Sequence, residues 1–209
     1  MRALFEVRKL GRLSYQEALD VQLDCFETVS LGGPDVLLFV EHDPVLTLGA
    51  NFHEKNLKLP REEYAARGIE LVRTDRGGDV TYHGPGQLVI YPIFNLAHRG
   101  KDLHRWLRDL EELVIRAVSF FGIEGRRFPP HTGVWVEDKK LAAIGIKVKR
   151  WVSIHGIAMN VNNELAPFDL IIPCGIEGYG VTSLSQCVGR EVSLDEVTEV
   201  VMKVCVGVF

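Results

Sequence analysis

VWVEDKKLAAIGIKVKRWVSIHGIAMNV, residues 134–161, decides the fold. Three apolar runs, 134–136, 141–148 and 151–161, are separated by charged turns. Such runs predict three strands in an antiparallel meander. Helices are predicted outside this block and not between its strands. Trp106, Leu110, Leu113, Val114, Ala117 and Phe121 trace one face of a helix over 102–121, which Gly122 can end. Ser14 with Glu17, and Ser193 with Glu196, have capping-box spacing and predict helices over 14–30 and 193–204. Further strands are predicted at the N-terminus and at 36–40, 69–73 and 88–94, with a short helix at 61–66. Residues 45–48 are expected to return from 36–40 after the turn Glu41-His42-Asp43-Pro44. Hairpin strands with separate helices make an α+β fold and not a regular βαβ alternation. No repeat, low-complexity segment or linker divides the chain, so residues 1–209 are read as one domain.

The 209 residues are 46% hydrophobic and 25% charged, enough for a sizeable core without a metal or disulfide staple. The net charge of -4 disfavours nucleic acid as a partner. No apolar run approaches bilayer length, and MRALFEVRKLGRLSY reads as a strand and not as a signal peptide, so a cytoplasmic protein is expected. Cys25, Cys174, Cys187 and Cys205 form no CxxC pair, and the histidines show no ligand spacing. Neither a metal nor a thioredoxin site is expected. Cys25 falls on the apolar face of the first helix and Cys205 trails the last, which makes both packing residues.

Three segments can carry chemistry. Residues 76–87 hold four glycines and a proline among Arg76, Asp79, Thr81, Tyr82, His83 and Gln87. Glycine allows close approach of backbone to a ligand, although a tight hairpin with a polar tip has the same composition. The segment is neither a P-loop nor a dinucleotide fingerprint. Lys139 and Lys140 precede Leu141-Ala142-Ala143-Ile144-Gly145-Ile146, a strand whose small residues leave room for a ligand. A lysine at its mouth would be partly desolvated and more reactive. By composition either lysine qualifies. On an extended strand the two point to opposite faces, so they cannot replace each other. In the third segment Cys174 lies between Pro173 and Gly175. A constrained turn can hold a thiol toward a pocket, yet most free cysteines are buried and inert. A nucleophilic role requires a cation or base nearby, and the lysines, His83, His131 and His155 are candidates. A lone histidine in an apolar strand, as His155 is, is more often structural.

RGGDVTYHGPGQLVIYPIFNL, KLAAIGIKVKRWVSIHGIAMNVNNEL, FDLIIPCGI and VTSL, in this order, resemble the lipoyl(octanoyl) transferases over about residues 36–190. The resemblance implies the fold of the biotin and lipoate protein ligases, a mixed, largely antiparallel sheet flanked by helices. It implies transfer of an octanoyl group from acyl carrier protein to Cys174. From there the group passes to a lysine of a lipoyl domain, in 2-oxoacid dehydrogenase E2 subunits or the glycine cleavage H protein. The resemblance selects Lys140 as acid/base partner of Cys174. No cofactor or ATP is needed, because the thioester is already activated. By position, Arg76, Gly77, Gly78, Asp79, Val80, Thr81, Tyr82 and His83 would line the acyl pocket. Ala143, Ile144 and Gly145 would form one wall of it, and Gly156, Ile157 and Ala158 another. Backbone N–H groups near Gly77-Gly78 or Cys174-Gly175 are candidates for the oxyanion site. Arg126, Arg127, Lys147, Lys149 and Arg150 are candidates for docking the acidic carrier protein. A monomer is expected. Three rivals are an ATP-dependent lipoate or biotin ligase, a hydrolase using Cys174, His83 and Asn160, and a non-catalytic binder of acylated carrier protein.

Overall fold

The computed structural model describes residues 5–175 and 178–209, and for Cys174 the backbone alone. The elements run β1 (Phe5–Leu13), α1 (Tyr15–Ser30), β2 (Asp35–His42), β3 (Val45–Leu48), α2 (Arg61–Ala66), β4 (Glu70–Arg73), β5 (Val80–His83) and β6 (Gln87–Ile93). There follow α3 (Leu103–Ser119), β7 (Arg126–Phe128), β8 (His131–Val136), β9 (Lys139–Lys149), β10 (Val152–Asn160), β11 (Gly180–Val181), α4 (Leu184–Val188) and α5 (Leu194–Cys205).

The meander read from 134–161 is present as β8, β9 and β10, paired antiparallel. It continues into a mixed sheet in the order β1-β2-β6-β10-β9-β8-β7, with β11 beside β9. Only β1 on β2 and β11 on β9 are parallel. Helices cover both faces. On one side α3 and α5 bury Trp106, Leu110, Leu113, Val114, Val197 and Val201 against Leu88, Ile90, Ile157 and Met159. Each such side chain contributes about 1.5–3 kcal/mol relative to exposure. On the other side α1 packs on β2, β6 and β10 through Ala18, Cys25, Phe26 and Val29. Its capping box is formed as the spacing requires, with Glu17 N donating to Ser14 Oγ at 3.3 Å and Ser14 N to Glu17 Oε2 at 2.9 Å.

The expected return of 45–48 along 36–40 does not occur. β3 leaves β2 and forms a second sheet, ordered β4-β3-β5, parallel to β4 and antiparallel to β5. Both edges of β2 are already taken by β1 and β6, so β3 has no place beside it. Leu46, Leu48, Val80, Tyr82, Tyr64 and Phe168 give this small sheet its own core. The glycine-rich stretch is likewise more than a hairpin tip, because Val80, Thr81, Tyr82 and His83 are a buried strand. Residues of the small sheet and of the large one line a common cavity.

Candidate active site

A narrow cavity lies between β5, β6, β9, β10 and the loop at 76–78. Its position follows from glycine. Gly145 faces Gly156 across β9 and β10, and a Cβ on Gly145 would stand 2.7 Å from the Gly77 carbonyl oxygen. A Cβ on Gly156 would collide with the Ile90 carbonyl. Arg76, Gly77, Gly78, Thr81 and His83 line the cavity, as do Ala143, Ile144, Gly145, Gly156, Ile157 and Ala158. Asp79, Val80 and Tyr82, expected beside them, do not. The two-residue period of a strand explains this: Thr81 and His83 face the cavity, while Val80 and Tyr82 face the core of the small sheet. Tyr15, Val89 and Tyr91 also line the cavity and carry no sequence signal toward a pocket; His155 lines it too, a candidate partner of Cys174 whose place in an apolar strand favoured a structural reading.

Thr81, Ala143 and Ala158 line both this cavity and an adjoining cleft, which Lys140 and Pro173 share with Gln87, Asn160, Phe168 and Val181. Lys140 and the 173–175 turn, far apart in sequence, therefore meet next to the cavity. Lys140 is 7% exposed and Lys139 is exposed, as alternation along β9 requires. The Lys140 ammonium lies 5.0 Å from the centre of the Trp135 ring, where the ring's quadrupole favours a cation. The 173–175 turn is held from below. Asn56 accepts from Ile172 N through its carbonyl at 2.8 Å and donates through Nδ2 to Asp79 Oδ2 at 2.7 Å. Asp79 Oδ1 accepts from Val80 N at 2.7 Å. Gly175 sits against this pair: a Cβ there would be 3.3 Å from Asn56 Nδ2 and 3.4 Å from Asp79 Oδ2. Asp79 thus supports the turn and does not line the cavity. The Cys174 side chain lies outside the described residues.

A directed hydrogen-bond chain fixes the cavity floor. Arg76 Nε and Nη2 donate to Thr47 Oγ1 at 3.0 and 2.8 Å. The Thr47 hydroxyl hydrogen is then free to go to His83 Nε2, 3.1 Å away. His83 Nδ1 donates to Gln87 Oε1 at 2.8 Å, and Gln87 Nε2 donates to Asn160 Oδ1 at 2.9 Å. Asn160 Nδ2 ends the chain on the Thr182 carbonyl. Burial drives the His83 pKa well below the usual value, and neighbouring His42 adds to the effect. His83 is therefore neutral, with both ring nitrogens engaged by Thr47 and Gln87. Beside it, His42 Nε2 accepts from the Tyr91 hydroxyl at 2.7 Å, and burial lowers the His42 pKa to about 4.

Two other sets of candidates have defined surroundings. The Gly77 N–H donates to the Ile146 carbonyl and the Gly175 N–H to the Ile172 carbonyl, so neither points at a substrate oxyanion. Of the basic docking candidates, Arg127 pairs with Glu111 and Glu112, Lys147 with Asp75, and Arg150 with Glu27. Arg126 donates to the Glu137 carbonyl.

The lipoyl protein ligase A/B catalytic domain model matches residues 14–206. A Rubrobacter xylanophilus protein named octanoyltransferase is 50% identical over 197 residues, covering 92% of this chain and 88% of its own. A Geobacter metallireducens octanoyltransferase is 49% identical over 192 residues, covering 91% and 87%. The fold matches that of a crystallised lipoate-protein ligase A bound with ATP, at TM-score 0.82 and 18% identity over 99% of this chain and 85% of that one. It also matches, at TM-score 0.56 and 19% identity over 99% and 69%, a biotin protein ligase of Aquifex aeolicus. The chain belongs to the lipoyl protein ligase A/B catalytic domain family. Among the described residues, no helix is long and apolar enough to cross a membrane.

Proposed function

We propose that this chain is an octanoyltransferase of protein lipoylation, moving an octanoyl group from acyl carrier protein to a lipoyl-domain lysine through Cys174. The relatives at about half identity over most of the chain support the reaction. The observation that carries the site is an apolar cavity adjoining a cleft that holds Lys140 and Pro173. An acyl chain seated in the cavity brings its carbonyl to that cleft, beside Cys174.

Each residue then has a task. The Cys174 thiolate attacks the carrier thioester, forming a tetrahedral oxyanion that collapses and releases the carrier thiol. A thiol with a reference pKa of about 8.5 needs help to ionise, and the Lys140 cation supplies it. The proton leaves with the carrier thiol. In the second half the acceptor lysine, with a reference pKa of about 10.4, must lose a proton before it can attack. That proton goes to solvent; as the free amine attacks the Cys174 thioester, neutral Lys140 takes the second proton from the nitrogen, the C–S bond breaks and the Cys174 thiolate leaves, which restores the starting thiolate–ammonium pair. The first half conserves the activation of the thioester and the second spends it on the amide, so no ATP enters. The strict acceptor is a lipoyl domain of an E2 subunit or an H protein.

The test is transfer to a purified lipoyl domain from octanoyl-acyl carrier protein without nucleotide, run beside free octanoate with ATP. Octanoylation of the domain in the first reaction alone is expected. Modification only with octanoate and ATP would make the chain a ligase and refute the proposal.

A further inference from the structure

The distal end of the cavity is a thin partition made of two side-chain pairs. Tyr15 and His155 face the cavity, and their partners Thr74 and Asp75 line a separate groove behind it. The Tyr15 hydroxyl lies 3.0 Å from Thr74 Oγ1, and His155 Nε2 lies 2.8 Å from Asp75 Oδ1. Tyr15 Oη and His155 Nδ1, 3.5 Å apart, close the gap between the pairs. The groove is open to solvent, and Leu19, Leu23 and Ile154 supply its apolar side.

His155 is held in place under strain. Its φ is 60° in the middle of β10, a region that a residue with a Cβ enters only when its surroundings over-determine it. The hold comes from α1: His155 N donates to Gln22 Oε1 at 2.9 Å, and Gln22 is fully buried. One helix therefore supplies both the Tyr15 half of the partition and the clamp on the other half.

The depth matches the substrate. The cavity borders the Lys140 cleft at the Ala143–Ala158 rung, and His155 of the partition stands on the Ile146–His155 rung. Three strand residues at about 3.3 Å each make the path about 10 Å. Seven carbon–carbon bonds, each advancing about 1.3 Å, make an extended octanoyl chain about 9 Å long. The last carbon then stops against Tyr15 and His155.

We infer that Tyr15 and His155 are the specificity-determining residues that set the acyl-chain limit. The inference rests on the octanoyl reading and adds the ruler to it. A chain longer by two carbons would need about 2.6 Å more, which the two rings occupy. Truncating either ring joins the cavity to the groove, where Leu19, Leu23 and Ile154 receive the extra methylenes. Thr74 and Asp75 stay solvated on the groove side, so opening the partition strands neither in the core.

The experiment compares kcat/KM for octanoyl- and dodecanoyl-acyl carrier protein in the wild-type chain, Tyr15→Ala, His155→Gly and His155→Asn. Glycine takes φ 60° without strain, and asparagine tolerates it. The dodecanoyl-to-octanoyl ratio is expected to rise about tenfold or more, since each methylene moved into apolar surroundings is worth about fourfold. Leu23→Asp placed in the His155→Gly background should remove most of the gain. Thermal unfolding shows which variants are folded. An unchanged ratio in the folded ones overturns the inference. Failure of the wild-type chain to transfer octanoyl at all would instead refute the octanoyl reading.

Discussion

Acid should loosen this fold through His42, and the size of the effect follows from its burial. His42 is fully buried at the far side of the cavity, with Nδ1 3.3 Å from the Leu13 carbonyl and Nε2 accepting from Tyr91. Its pKa is about 4 in the fold against the usual 6.5 of a histidine, with desolvation as the largest cause. A depressed pKa on a base means that the unfolded chain binds the proton first. Stability is therefore unaffected well above pH 6.5 and falls as the pH drops from 6.5 toward 4. The loss is about 2 kcal/mol at pH 5 and approaches about 3 kcal/mol below pH 4. For 209 residues, 2 kcal/mol lowers Tm by about 5 °C. His83 and His155, also lowered mainly by burial, act with the same sign. The assay is Tm by circular dichroism from pH 7.5 to 4.5, for the wild-type chain and His42→Gln. The variant loses baseline stability but should show a shallower slope. Equal slopes, or a flat wild-type profile, would refute the assignment of a buried neutral imidazole.

Lys140→Ala should lower octanoyl transfer by about 10²–10⁴-fold, whereas exposed Lys139→Ala should stay within about twofold, measured as initial rates on a lipoyl domain. Asp79→Ala leaves Asn56 Nδ2 and Val80 N buried without their acceptor, so urea unfolding should show a loss of about 2–4 kcal/mol. The same variant should slow transfer, because Asn56 and Asp79 support the 173–175 turn.

Local rules made much of this molecule legible. The capping pairs Ser14–Glu17 and Ser193–Glu196 mark two helix starts within a residue, because a cap is a contact three positions long. The charged turns of 134–161 mark the meander for a similar reason. What stayed hidden depends on pairing at long range. The move of β3 into a second sheet is decided by β1 and β6, which occupy both edges of β2. The split of 76–83 into cavity and core faces needs the partner strand to be known, although the alternation Val80, Thr81, Tyr82, His83 was already visible. Tyr15 and His155 are 140 positions apart, and no local pattern joins them. The strain at His155 is a backbone property that a histidine in an apolar run does not announce.

The covalent step is the centre of the mechanism, and one measurement reaches it directly. The chain is mixed with octanoyl-acyl carrier protein without ATP or acceptor, and its intact mass is taken. The expected result is a gain of one octanoyl group, labile to hydroxylamine, absent in Cys174→Ala and discharged on adding a lipoyl domain. Transfer to the lipoyl domain at the wild-type rate by Cys174→Ala, or an adduct that persists in it, would contradict the thioester route through Cys174.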